Sequence, residues 1–107
     1  MVNISEFSLL DIRVGKIVDV VDINSRKPMY GLKVDLGGLG IKNIAAGIKE
    51  AYSKEGLMGK RVIVLANLEP KSIAGFVSEG MLLAAVDENS ISLLETDRDV
   101  QIGSKVS

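Results

Sequence analysis

Tyr30-Gly31-Leu32-Lys33-Val34-Asp35-Leu36 alternates: Tyr30, Leu32, Val34 and Leu36 fall on one face, Lys33 and Asp35 on the other. Successive side chains of an extended chain point to opposite sides, so the pattern predicts a strand with one buried face and one wet face. Upstream, Asn24-Ser25-Arg26-Lys27-Pro28 is turn chemistry, and Ile12-Arg13-Val14-Gly15-Lys16-Ile17-Val18-Asp19-Val20-Val21-Asp22-Ile23 before it is dense in β-branched residues. The alternation there breaks near Gly15-Lys16, which predicts a long first strand with a bend or bulge at that point. Downstream, Gly37-Gly38-Leu39-Gly40 predicts a tight hairpin into a third strand, Ile41 to Gly47.

Beyond the third strand the pattern predicts a short helix around Ile48–Tyr52, with Gly56 and Gly59 ending its helical character. Val62-Ile63-Val64-Leu65-Ala66 reads as a fourth strand, Lys71 to Val77 as a loop, Met81–Val86 as a fifth strand and Ile91–Leu94 as a further short one. Strands in this number, with one short helix between the third and fourth, follow the order of an all-β, five-stranded Greek-key OB barrel. Another small barrel, such as an SH3-like one, is the alternative. The position of the helix favours the OB order.

With 107 residues the chain is one domain, and its 47% apolar and 25% charged residues suit an ordinary packed core. No apolar run approaches the roughly 18–20 residues that cross a bilayer, and Met1–Leu10 lacks the basic region and cleavage site of a signal peptide. The expectation is a cytoplasmic protein with no membrane partner. Cysteine and histidine are both absent, which removes disulfides, thiolate nucleophiles and most acid–base relays and metal ligands. No enzyme activity, cofactor or metal is therefore expected. The net charge of −1 hides a segregation: residues 13–71 carry eleven bases against six acids, residues 72–107 two bases against six acids. Such a basic body can present a positive face to phosphates, although scattered solvated charge gives the same counts.

Gly37-Gly38-Leu39-Gly40 resembles a phosphate loop only superficially, because a strand and not a helix follows it. Ser25-Arg26-Lys27 and Lys60-Arg61 are too short to signal nucleic acid. The informative stretch is Asn67 to Ala85, where a glycine-bearing loop with Lys71 and Phe76 leads through Ser78-Glu79-Gly80 into a strand beginning at Met81. Gly80 leaves room for a close backbone approach, and Phe76 and Met81 either meet exposed bases or fill the end of the barrel.

Several segments in order across about residues 6–86 resemble the tRNA-binding domain family, found as a stand-alone bacterial protein and in the C-terminal region of methionyl-tRNA synthetases. They are Asp11-Ile12-Arg13-Val14-Gly15-Lys16-Ile17, Leu32-Lys33-Val34-Asp35-Leu36-Gly37, Ala46-Gly47-Ile48, Gly59-Lys60-Arg61, Val64 to Lys71 and Ser78 to Ala85. The resemblance implies an OB fold that grips the outer corner of tRNA by shape and assists an aminoacyl-tRNA synthetase without itself catalysing aminoacylation. By matched position it implies Ser78 and Met81 as principal tRNA contacts, with Lys33, Asn67 and Lys71 on the same face. It also implies a homodimer, built with the N-terminal segment and the C-terminal extension 87–107. Two segments depart from the family pattern, Ser25 to Tyr30 between the first two strands and Lys42-Asn43 in the third. Ile73-Ala74-Gly75-Phe76 is also similar to the CsaA-type export chaperones, relatives that bind polypeptide.

Overall fold

The computed structural model describes residues 1–107. A one-turn helix, α1 (Ile4–Phe7), opens the chain. Asn3 caps it, its Oδ1 accepting the Glu6 amide at 2.9 Å while the Glu6 carboxylate accepts the Asn3 amide at 3.2 Å. The barrel strands follow: β1 (Ile12–Ile23), β2 (Met29–Asp35) and β3 (Ile41–Ala46). After them come α2 (Lys54–Leu57) and β4 (Arg61–Leu65). Five short strands complete the order: β5 (Lys71–Ile73), β6 (Phe76–Ser78), β7 (Met81–Leu82), β8 (Ala84–Val86) and β9 (Ile91–Leu93). The last element is β10 (Lys105–Val106).

The main sheet is antiparallel, in the order β3-β2-β1-β4-β7, with β10 also paired to β1. It curls until the free edge of β3 meets residues 78 and 79. There the Glu79 amide donates to the Asn43 carbonyl at 2.8 Å, and the Glu79 carboxylate accepts the Asn43 amide at 3.0 Å. The fold is the OB-type barrel that the strand order predicts. Its interior holds the expected face of β2, Tyr30, Leu32, Val34 and Leu36, against Ile17, Ile44, Leu57, Val62 and Val64. Each such aliphatic side chain stabilises the fold by about 1.5–3 kcal/mol relative to exposure. A second cluster, Ile12, Val14 and Ile63, is covered by Phe7, Ile102 and Val106 from the two ends of the chain.

Four local expectations need correction. The bulge in β1 lies between Ile17 and Asp19 and not at Gly15-Lys16. Gly15 is glycine because a Cβ there would come within 2.6 Å of Val34 Cγ1 inside the barrel. The helix lies at Lys54–Leu57, where Ser53 Oγ accepts the Gly56 amide, while Ile48–Tyr52 makes a single turn closed by the Tyr52 amide on the Ile48 carbonyl. Lys71 to Val77 is a hairpin and not a loop, turning through Ala74 (φ 50°) and Gly75 (φ 83°). The fifth strand divides at Leu83, β7 pairing with β4 and β8 with β9.

The C-terminal stretch returns to the barrel. The Gly103 amide donates to the Val14 carbonyl at 2.7 Å and the Val14 amide to the Ser104 carbonyl at 2.9 Å, along the part of β1 that β2 leaves free. Gly37 and Gly103 make this approach possible: a Cβ on Gly37 would lie 2.5 Å from the Ile102 carbonyl oxygen, and one on Gly103 2.7 Å from that of Leu36. Both occupy left-handed backbone, at φ 64° and 92°.

Candidate nucleic-acid interface

Where β3 meets the β5–β6 hairpin, the surface opens into a groove of about 460 Å³. Ala45 of β3, Lys71 and Ile73 of β5, and Leu68 and Glu69 from the segment before β5 line it, with Ser78, Gly80 and Met81 beneath and beside them. Three of the five residues expected at the site, Lys71, Ser78 and Met81, therefore converge on one concavity. They differ in availability.

Ser78 is only 7% exposed. Its Oγ accepts the Ala45 amide at 2.9 Å and donates to the Gly80 carbonyl at 3.1 Å, so both capacities of the hydroxyl are engaged within the protein. Met81 is 46% exposed and lines the groove. Lys71 is exposed and forms no ion pair. Lys33 stands outside the groove on the wet face of β2, 3.4 Å from the Asn43 side-chain oxygen. Asn67 uses both halves of its amide internally: Oδ1 accepts the Asp11 amide at 2.9 Å and Nδ2 donates to the Leu9 carbonyl at 2.8 Å.

Gly80 permits a close backbone approach, and the neighbouring strand β4 is what makes it. A Cβ there would lie 2.7 Å from the Leu65 carbonyl oxygen, so the space it leaves is filled by the neighbouring strand. Phe76 is placed by the same logic, its ring lying where a side chain on Gly31 would be, 2.5 Å from that Cβ position. It covers the outer face of β2 and pins the hairpin that carries Lys71. Sequence reasoning missed Glu79, whose carboxylate closes the barrel, and the apolar lining of Ala45, Leu68 and Ile73. Only the adjacency of Glu79 to Ser78 could have drawn attention to it.

Most of the basic residues are occupied elsewhere. Lys42 donates to the Ala66 carbonyl at 2.9 Å, and Arg13 holds Asp11 and the Gly103 carbonyl. Lys49 and Lys54 clasp Asp22 at 2.8 and 2.7 Å, and their hydrogen bonds hold the Asp22 carboxyl below the usual carboxylate range. Lys71 is thus the lysine of the groove wall without a partner, and Lys33, outside the groove, forms no ion pair and donates only to the Asn43 side chain. No three His, Cys, Asp or Glu side chains are grouped to hold a metal ion. The groove carries one lysine, Lys71, and one carboxylate, Glu69, beside the half-exposed Met81 and the apolar Ala45, Leu68 and Ile73. It suits the capture of a phosphate-bearing or partly apolar ligand more than bond-making chemistry.

Residues 12–105 match the family described as "Putative tRNA binding domain". The chain is 47% identical over 105 residues to the methionine–tRNA ligase of Pyrococcus furiosus, which takes in 98% of this chain and 14% of that protein. Against the methionine–tRNA ligase of Nanoarchaeum equitans it is 45% identical over 106 residues, 99% of this chain and 14% of the relative. The chain thus spans a small part of these relatives' length. Among solved structures, the CsaA chaperone protein from Picrophilus torridus superposes with a TM-score of 0.93 at 38% identity, all of both chains covered. A MetRS related protein from Pyrococcus horikoshii superposes with a TM-score of 0.90 at 30% identity, over 100% of this chain and 98% of that one. A family match that begins at the first residue of β1 and ends within β10 takes in every strand of the barrel, and the chain belongs to the tRNA-binding domain family.

Proposed function

We propose that this chain binds tRNA through the groove between β3 and the β5–β6 hairpin, recognising the shape of the folded RNA more than its bases. The observation that carries the reading is Lys71, exposed and outside any ion pair on the wall of an apolar groove, with Lys33 on the outer face of β2 held only by the Asn43 side chain. Lysines free of ion pairs can neutralise phosphates and release counterions, and Met81 can pack against an unstacked base or ribose. Ser78 and Asn67 contribute by shaping the groove. The family match supports the same ligand.

The reading extends to a homodimer in the cytoplasm, or a tRNA-binding subunit that serves a methionyl-tRNA synthetase in trans and carries no catalytic step of its own. Ile4, Leu9 and Leu10 stand exposed near the second apolar cluster and offer, with the C-terminal extension, a surface for a two-fold contact. A strictly monomeric mass at micromolar concentration would remove the homodimer.

A second reading is a chaperone that binds unfolded polypeptide. The apolar lining of Ala45, Leu68, Ile73 and Met81 and the likeness to CsaA favour it. Binding of unfractionated tRNA and of a permanently unfolded polypeptide, measured side by side across salt, separates the two. Tight, salt-sensitive tRNA binding with weak polypeptide binding is expected, and the reverse order would replace the first reading by the second.

A further inference from the structure

Between β4 and β5 the chain crosses residues 67–70, and these make no backbone hydrogen bond. Two of them, Leu68 and Glu69, form part of the groove. One side chain ties the segment down: Asn67, whose amide bridges the Asp11 amide and the Leu9 carbonyl. The residue before it is fixed from two sides, since the Ala66 amide donates to the Asp11 carbonyl at 2.7 Å and Lys42 donates to the Ala66 carbonyl. The N-terminal segment is held in turn by Phe7, packed on Ile12, Val14 and Ile63. No residue of 1–11 lines the groove.

We infer that Asn67 is a positioning residue through which the N-terminal segment sets the shape, and so the affinity, of a groove it does not touch. A loop with a single hydrogen-bonded anchor samples many positions once that anchor is cut, and a ligand must then bear the cost of ordering it. With Asn67 engaged, part of that ordering is complete before binding. Coupling of this kind is reciprocal, so a ligand in the groove also firms the N-terminal segment, and anything that grips the segment changes the groove. This inference rests on the groove being the tRNA site. It replaces a direct RNA contact by Asn67 with an indirect role.

Three variants of the full chain test it: Asn67→Ala, Phe7→Ala and the pair together, each checked for folding by circular dichroism and read by affinity for unfractionated tRNA. Asn67→Ala and Phe7→Ala should each weaken binding about fivefold, and the pair no more than the worse single variant, because both cut the same linkage. Effects that multiply would show Asn67 touching RNA on its own account, and an unchanged affinity in Asn67→Ala would show an anchor without consequence; either overturns the inference. Amide exchange of Lys71–Ile73, where the segment enters the β5–β6 ladder, measured in the free protein without tRNA, should quicken in both single variants, and unchanged exchange also overturns it. Should the unsubstituted chain fail to bind tRNA while this exchange responds as expected, the groove's assigned ligand is at fault and not the linkage. Where Asn67→Ala does not fold, Asn67→Asp, which keeps the acceptor for Asp11 and loses the donor to Leu9, should quicken the same amides.

Discussion

Ser78 closes the barrel against Ala45: a side-chain oxygen of β6 takes the place that a backbone carbonyl would hold in a regular ladder, accepting the β3 amide at 2.9 Å. Removing that oxygen leaves a part-buried N–H without its partner. Ser78→Ala should therefore lower unfolding stability by about 1–3 kcal/mol. Urea denaturation checks this, and a variant as stable as the parent would mean that water replaces the hydroxyl.

Met81 is the contrasting neighbour. Its half-exposed side chain leaves little cavity when shortened, so Met81→Ala should change stability by less than about 1 kcal/mol, against about 2–5 kcal/mol for a buried methionine. Affinity for tRNA should fall all the same. Thermal melts and filter binding on one preparation test both halves.

Lys71 and Lys33 should reveal themselves through salt. If each neutralises one phosphate, replacement by Ala shallows the slope of log affinity against log salt by about one unit for each lysine. Lys42→Ala is the internal comparison. Its ammonium is engaged with the Ala66 carbonyl, so it should alter stability more than slope.

Ala74 turns the hairpin at φ 50°, a left-handed conformation in which a Cβ is strained by about 1–2 kcal/mol. Asn tolerates that region, and Asn-Gly is the favoured pair for such a turn. Ala74→Asn should stabilise the protein by about 0.5–1 kcal/mol, seen as a higher denaturation midpoint, with little change in tRNA affinity.

Ala74 also marks the limit of what the sequence discloses. The strands with strong alternation or β-branched content, β1 and β2, are legible because period and propensity agree. The β5–β6 hairpin is not, because alanine stands where Asn or Gly would announce the turn and its strands are three residues each. The two residues of β10 carry no pattern either; the bonds between Val14 and residues 103–104 and the packing of Ile102 and Val106, allowed by the close approach of Gly37 and Gly103, bring them to β1. At the candidate site, resemblance points to Lys71, Ser78 and Met81 together, but it cannot say which polar groups are already engaged. Ser78 and Asn67 look like free surface groups in one dimension. Their partners Ala45, Leu9 and Asp11 lie 33, 58 and 56 positions away.

The return of residues 103–106 onto the opening half of β1 has a consequence in time. Synthesis proceeds at about 5–20 residues per second, so the first strand waits seconds for the chain that will cover its open side. In that interval a β-branched, hydrogen-bonding border stands bare, the kind of surface that recruits strands from other molecules. A substitution at Gly37 or Gly103 that keeps the return from seating would prolong the exposure indefinitely. Its first symptom would be clumping of newly made protein on the ribosome's doorstep, with loss of ligand capture following as a secondary effect.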